Sequence, residues 1–217
     1  VTGHGPPRLS DTQGRSATAK AGKSLEGEGF GPELETPRLV LRRWRASDRE
    51  PFAELNADPE VMRHFVEPLT REQSDSLVDR IEAGFDEHGF GLWAVEVPGA
   101  AAFIGFTGIV GQTFTAHFTP AIEVGWRLAR RAWGRGYATE AATAALDHAF
   151  DAIGLDEVVS ITTPGNAGSR AVMERLGMTR DPSDDFDHPN VPEAHAYRRH
   201  VLYRISADQW RSRRATD

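Results

Sequence analysis

The sequence predicts a mixed α/β fold, a single sheet of about seven strands with helices linking only some of them. Three observations carry this. Two apolar, strand-like runs meet at a Pro98-Gly99 turn, which reads as a hairpin. A strand, a glycine-rich turn and an alanine-faced helix follow one another between residues 121 and 153. A further strand, helix and two strands complete the chain. At 217 residues it can bury a sizeable core, and its 39% hydrophobic and 26% charged residues are ordinary for a globular protein.

Residues 1–33 are rich in Gly, Pro, Ser and Thr, with Phe30 their only aromatic, so they predict a disordered tail before a folded domain at 34–217. "GKS" at Gly22–Ser24 resembles the end of a Walker A loop. Ala17 stands where its first glycine is needed and no strand precedes it, so the reading fails. Arg38–Trp44 alternates as a strand, and Ser47 is expected to cap a helix. A second short helix is expected over Pro59–Phe65. Thr70 caps a longer one that aligns Leu77, Ile81 and Phe85 and ends at Gly89. The hairpin strands come next, then a loop at 111–119 and a fourth strand at Ala121–Ala129. Ala138, Ala141, Ala142, Ala145, Leu146, Ala149 and Ile153 trace one helical stripe, ended by Gly154. Glu157–Thr163 is strand-like, Asn166 to Gly177 helical, and two strands follow near 178–187 and at Ala196–Ile205. Trp44 and Trp93 are expected in the core.

Composition narrows function. The net charge of −7 disfavours nucleic acid as the main partner. With no cysteine, disulfides, thiolate metal sites and an acyl-cysteine intermediate are excluded. No apolar run is long enough to span a membrane and no secretory leader opens the sequence, so a cytoplasmic protein is the default expectation. No metal motif such as H-E-x-x-H is present, and the aspartates near 184–187 read as a solvated loop.

Between Arg130 and Thr139 the chain combines arginines, two glycines and a helix start. Unpaired N–H groups and the helix dipole favour an anion there, and glycines let the backbone approach it. A plain strand-to-helix turn with solvated arginines is the competing reading. A dinucleotide fingerprint fails, because Thr139 replaces its third glycine and Asp156 precedes the next strand.

"EVGWRLARRAWGRGYATEA" resembles the acetyl-CoA-binding segment of the GNAT superfamily of N-acetyltransferases, with Arg131-x-x-Gly134-x-Gly136 fitting its Q/R-x-x-G-x-G/A core. "TPRLVLRRW" and "NAGSRAVMERLGM" further resemble the RimJ and RimL branch, the ribosomal-protein alanine acetyltransferases, and the likeness runs from about Glu35 to Ile205. It implies a mostly antiparallel sheet with flanking helices, splayed between the fourth and fifth strands. It also implies acetyl-CoA as co-substrate and direct transfer to a primary amine, a protein N-terminus or a small molecule, in a ternary complex.

Carried over residue by residue, the pyrophosphate maps to Arg131, Trp133, Gly134, Arg135, Gly136, Tyr137 and Ala138, and the pantetheine arm to Trp126, Arg127 and Leu128. Asn166 would reach the pantetheine, its alternative role being a helix cap. Ser169 is the candidate proton donor to the thiolate, because Met173 stands where many relatives carry an acidic tyrosine. Glu123 is the candidate base, the alternative being an ion pair with Arg127 on the same strand face. Arg63, His64, Phe65 and His195 are candidates for the acceptor pocket, with His200 read as packed. Acetylation of an antibiotic or metabolite amine, and a non-catalytic acyl-CoA sensor, are alternatives; a homodimer is left open.

Overall fold

A computed structural model describes residues 31–215. The tail expected at 1–33 falls outside these as far as residue 30, as does the rejected Gly22–Ser24 loop. Residue 32 is already engaged, since Trp93 Nε1 donates to the Pro32 carbonyl at 2.8 Å.

The described residues form one sheet in the order β1-β2-β3-β4-β5-β6-β9-β7, with β8 paired to β9. Its strands are β1 (Leu34–Glu35), β2 (Val40–Arg42), β3 (Leu92–Val97), β4 (Ala101–Gly111), β5 (Ile122–Leu128), β6 (Glu157–Thr162), β7 (Thr179–Arg180), β8 (Phe186–Asp187) and β9 (Arg199–Ser206). All pairs are antiparallel except β5 with β6, whose one register pair is Glu123 with Val159. Beyond it these two strands separate toward their C-terminal ends, which is the expected splay.

Helix α1 (Arg49–Ala57) follows a 3₁₀ turn at Ala46–Asp48. Ser47 is not its cap: Asp48 holds that position, and no side chain caps α1. The Asp48 carboxylate instead accepts from the Arg45 N–H at 2.7 Å and from Arg42. The helix expected over Pro59–Phe65 is a run of turns. Asp58 precedes a proline and is extended (ψ 115°), as that clash favours, so the helix cannot continue through it. In α2 (Arg71–His88), Thr70 and Gln73 form the expected capping box, and Gly89 closes it at φ +76°.

Helix α3 (Tyr137–Asp147) runs through a π-helical stretch (His148–Ile153) to Gly154. Its Ala141, Ala142 and Ala145 are fully buried against β4 and β5, so the small side chains let this helix lie close to the sheet. Helix α4 (Ala167–Arg175) follows β6. The strand expected at 178–187 is interrupted: Pro182 lacks a ladder donor and opens a 3₁₀ turn between β7 and β8. The sequence reading also overlooked α5 (Ala207–Arg214), which Ser206 and Gln209 cap and Trp210 anchors in the core.

Trp44, Phe52, Phe103 and Phe106 interlock where α1 meets the sheet, with Trp44 4.7 Å from Phe52 and 5.4 Å from Phe103. Burying each such ring contributes about 2–3 kcal/mol. Trp93 is also fully buried, so both tryptophans expected in the core are there.

Candidate active site

Between β5 and α3 the chain makes the turn that the glycines require. Gly134 and Gly136 sit at φ +71° and +79°, where a side chain would be strained. Gly136 is the N-cap of α3 and no side chain caps this helix, so its first N–H groups face outward unanswered. A Cβ on Gly134 would meet nothing within 4 Å, so the backbone is open to a ligand there. These features fit a phosphate group.

The cradle is held from behind by residues the sequence reading passed over. Arg38 donates to Glu140 through Nε at 2.6 Å and to the Arg135 carbonyl through Nη1 at 3.0 Å. Its guanidinium lies 4.9 Å from the Tyr137 ring. Thr36 Oγ1 donates to the same glutamate at 2.7 Å. Burial opposes the Glu140 charge, but the bonds from Thr36 and Arg38 outweigh it and hold the carboxyl below its ordinary range. Arg131 Nη2 is tied to the Phe103 carbonyl at 2.9 Å and Trp133 Nε1 to the Leu128 carbonyl at 2.7 Å. With these two side chains engaged, their backbone is what a ligand meets.

Glu123 lies where β5 and β6 touch before they part. Burial pushes its carboxyl from 4.5 up to about 8, opposed by hydrogen bonds from the Ile161 backbone and the Gln112 side chain. The expected alternative, an ion pair with Arg127, is absent among the described residues. Arg127 Nη1 instead donates to Asn56 Oδ1 of α1 at 2.5 Å.

The turn at 63–65 crosses the open end of this wedge. Phe65 lies 4.3 Å from the Arg127 guanidinium, and Arg63 lies 5.8 Å from the Trp133 ring of the cradle. His64 Nδ1 is 3.5 Å from Thr163 Oγ1 after β6 and 6.3 Å ring to ring from Tyr197. Tyr197 is in turn 5.2 Å from His195. Burial, and then the Arg63 charge, lower the His64 pKa. His64, Phe65 and His195 are thus linked through Thr163, Arg127 and Tyr197, and Arg63 through His64, to which its Nε donates at 3.2 Å.

Residues 38–179 match the family described as "Acetyltransferase (GNAT) domain". The chain belongs to the GNAT acetyltransferases. It is 31% identical over 186 residues to the FsC-acetyl coenzyme A-N(2)-transacetylase of Aspergillus fumigatus, covering 82% of this chain and 78% of that one. It is 33% identical over 147 residues to the YkkB protein of Bacillus subtilis, covering 67% and 84%. A solved acetyltransferase of Agrobacterium tumefaciens is 30% identical with a TM-score of 0.66, covering 84% and 99%. Mycobacterium smegmatis RimJ, solved in complex with CoA-disulfide, has a TM-score of 0.63 at 23% identity, over 82% and 87% of the two chains, and shares the fold.

GNAT enzymes are N-acetyltransferases that use acetyl-CoA, and this chain is one of them. The candidate residues on α4 have local roles as well. Asn166 Oδ1 accepts from the Ser169 N–H at 3.2 Å and its Nδ2 donates to Thr162 Oγ1 at 3.0 Å, so its side chain serves as the cap. Met173 is buried in the core. His200 is half-buried between Phe186 and His188, as its packed reading expects. No helix among the described residues is long and apolar enough to cross a membrane.

Proposed function

We propose that this GNAT enzyme, a single domain from residue 34, transfers acetyl directly from acetyl-CoA to a primary amine in a ternary complex, with Glu123 as the base. The observation that carries this is the desolvated Glu123 carboxyl at the closed point of the β5–β6 wedge. It is two strand residues from the stretch Trp126–Leu128 that leads into the phosphate cradle.

The backbone N–H groups of Gly134–Ala138 hold the pyrophosphate, and Arg131 and Arg135 add positive charge. Trp126, Arg127 and Leu128 pair through their backbone with the pantetheine arm, and Asn166 lines its other side. Glu123 takes the proton of the bound ammonium, directly or through one water. The amine nitrogen attacks the thioester carbonyl, the C–N bond forms, and the C–S electrons leave on the thiolate. A thiol titrates near about 8.5, so the thiolate leaves readily, and the second proton, shed by the nitrogen as the amide forms, reaches it through Ser169 or water. A base near 8 is matched to an α-ammonium, with a pKa of about 7.7–8.0, better than to a lysine at about 10.4. This favours an α-amine acceptor. Motifs of the RimJ and RimL branch agree with that class.

The test is a melting curve with CoA, followed by thiol release against a panel of amines and N-terminal peptides. Ligand at 100 times Kd is expected to add about 2.7 kcal/mol, or roughly 5–10 °C. No shift overturns the co-substrate assignment. A shift with no thiol release on any amine replaces the enzyme reading with the acyl-CoA sensor.

A further inference from the structure

We propose that Arg127 binds an anionic group of the acceptor, so that the enzyme selects amines that also carry a carboxylate. This rests on the acetyl-transfer reading and names the acceptor class for the same site.

Glu123, Gly125 and Arg127 share one face of β5. Between the two charged residues the floor is bare: a Cβ on Gly125 would meet no atom nearer than Glu123 Oε1, at 4.0 Å. Four residues of strand span about 13 Å between Cα atoms. Two long side chains therefore border an open strip of strand, one a carboxylate and the other a guanidinium.

Arg127 is short of partners. Among the described residues its Nε is buried with no hydrogen-bond acceptor, and its one hydrogen bond is to the neutral Asn56 amide. No carboxylate among the described residues pairs with it. A desolvated cation without a counter-charge is unfavourable, and an incoming carboxylate offsets that. Burial accordingly lowers its pKa to about 10.

The surroundings fix how an anion would approach. Phe65 and Phe106 lie 4.3 Å and 5.4 Å from the guanidinium, held there by cation–π attraction. Phe106 is also its cross-strand partner. Phe65 is 42% exposed and Arg127 is half-buried, so the guanidinium lies close beneath the surface here. Donors left over on the guanidinium suit a planar carboxylate. An acceptor lying along the strip places its amine at Glu123 and its acid at Arg127.

The experiment compares Gly-Gly, Gly-Gly-Gly and Gly-Gly-Gly-Gly, which carry the α-amine favoured above, with their C-terminal amides, in wild type, Arg127→Gln and Arg127→Lys. Wild type is expected to favour the free acids by tenfold or more in kcat/KM at the best length. Arg127→Gln is expected to abolish that ratio and Arg127→Lys to keep part of it, with melting curves confirming folded variants. Equal kcat/KM for the two series in wild type overturns the proposal, as does a preference that survives Arg127→Gln. A raised KM for acetyl-CoA with the preference intact overturns it too, assigning the guanidinium to CoA phosphate. If no amine is acetylated, the transfer reading has failed separately, and binding decides. With saturating CoA, Gly-Gly-Gly should raise the Tm of wild type and not of Arg127→Gln; equal shifts, or none, overturn the proposal.

Discussion

Arg42 on β2 places all five guanidinium donors on protein acceptors, whereas Arg127 on β5 has one such bond among the described residues. Nε of Arg42 reaches Glu96 at 2.7 Å, and the other two nitrogens reach Asp48, Arg43 O and Ala102 O at 2.6–3.1 Å. Burial works against its charge, but the bonds to Asp48 and Glu96 outweigh it, and its pKa is raised. At Arg127 burial is the sole recorded cause, and the pKa is lowered. The same residue type in one sheet is therefore fully satisfied at the α1 junction and left short of partners beside the wedge. Stability accounts for the first arrangement and not for the second, which is the pattern expected of a ligand site.

The largest effect that would break this contrast lies at the satisfied end. Asp48→Ala removes one of the two carboxylates on the buried Arg42 and leaves two of its N–H groups without an acceptor, and is expected to cost about 3 kcal/mol, or about 10 °C in Tm. A calorimetric loss under about 1 kcal/mol would remove the distinction between the two regions.

The next effect has the opposite sign. Glu123 is raised from 4.5 to about 8, so between these values the folded protein keeps a proton that the unfolded chain has lost. Its contribution to stability thus declines as pH rises from 4.5 to 8 and levels off above. Glu123→Gln removes that decline and should be more stable than wild type at pH 9 by on the order of 2 kcal/mol, and not at pH 4.5. Denaturant melts at the two pH values check it.

Two smaller effects sharpen the comparison within the cradle. Gly136→Ala forces a Cβ into φ +79° and to 3.4 Å from Arg38 Nη2. It should cost roughly 1–2 kcal/mol and raise the KM for acetyl-CoA, read by thermal melts and saturation kinetics. Asn166→Ala loses the α4 cap and should cost about 1 kcal/mol by the same melts.

Much of this was legible in the sequence, for reasons specific to each element. Thr70 with Gln73, the Pro98-Gly99 turn and the alanine stripe of α3 each state their structure locally, within a few residues. The cradle was legible because its glycines carry the backbone conformation themselves. The helix expected at 59–65 is a run of turns: the extended residue before Pro59 ends α1, and no helix opens again before Arg71. Long-range partners left no local signal. Gln112 on Glu123, Asn56 on Arg127 and Arg38 on Glu140 are brought together by the topology, across 11, 71 and 102 residues. The proposed Glu123–Arg127 pair obeyed the strand period and still failed, because Asn56 offered Arg127 an acceptor from another element.

The most direct measurement is the pH dependence of kcat/KM for wild type and Glu123→Gln with one amine acceptor. If Glu123 is the base, wild type rises with pH through a pKa near 8 that the variant lacks, and the variant is slower by about 10²–10⁴ at neutral pH, with the gap narrowing as the amine deprotonates unaided. Profiles that are parallel across pH would contradict Glu123 as the base.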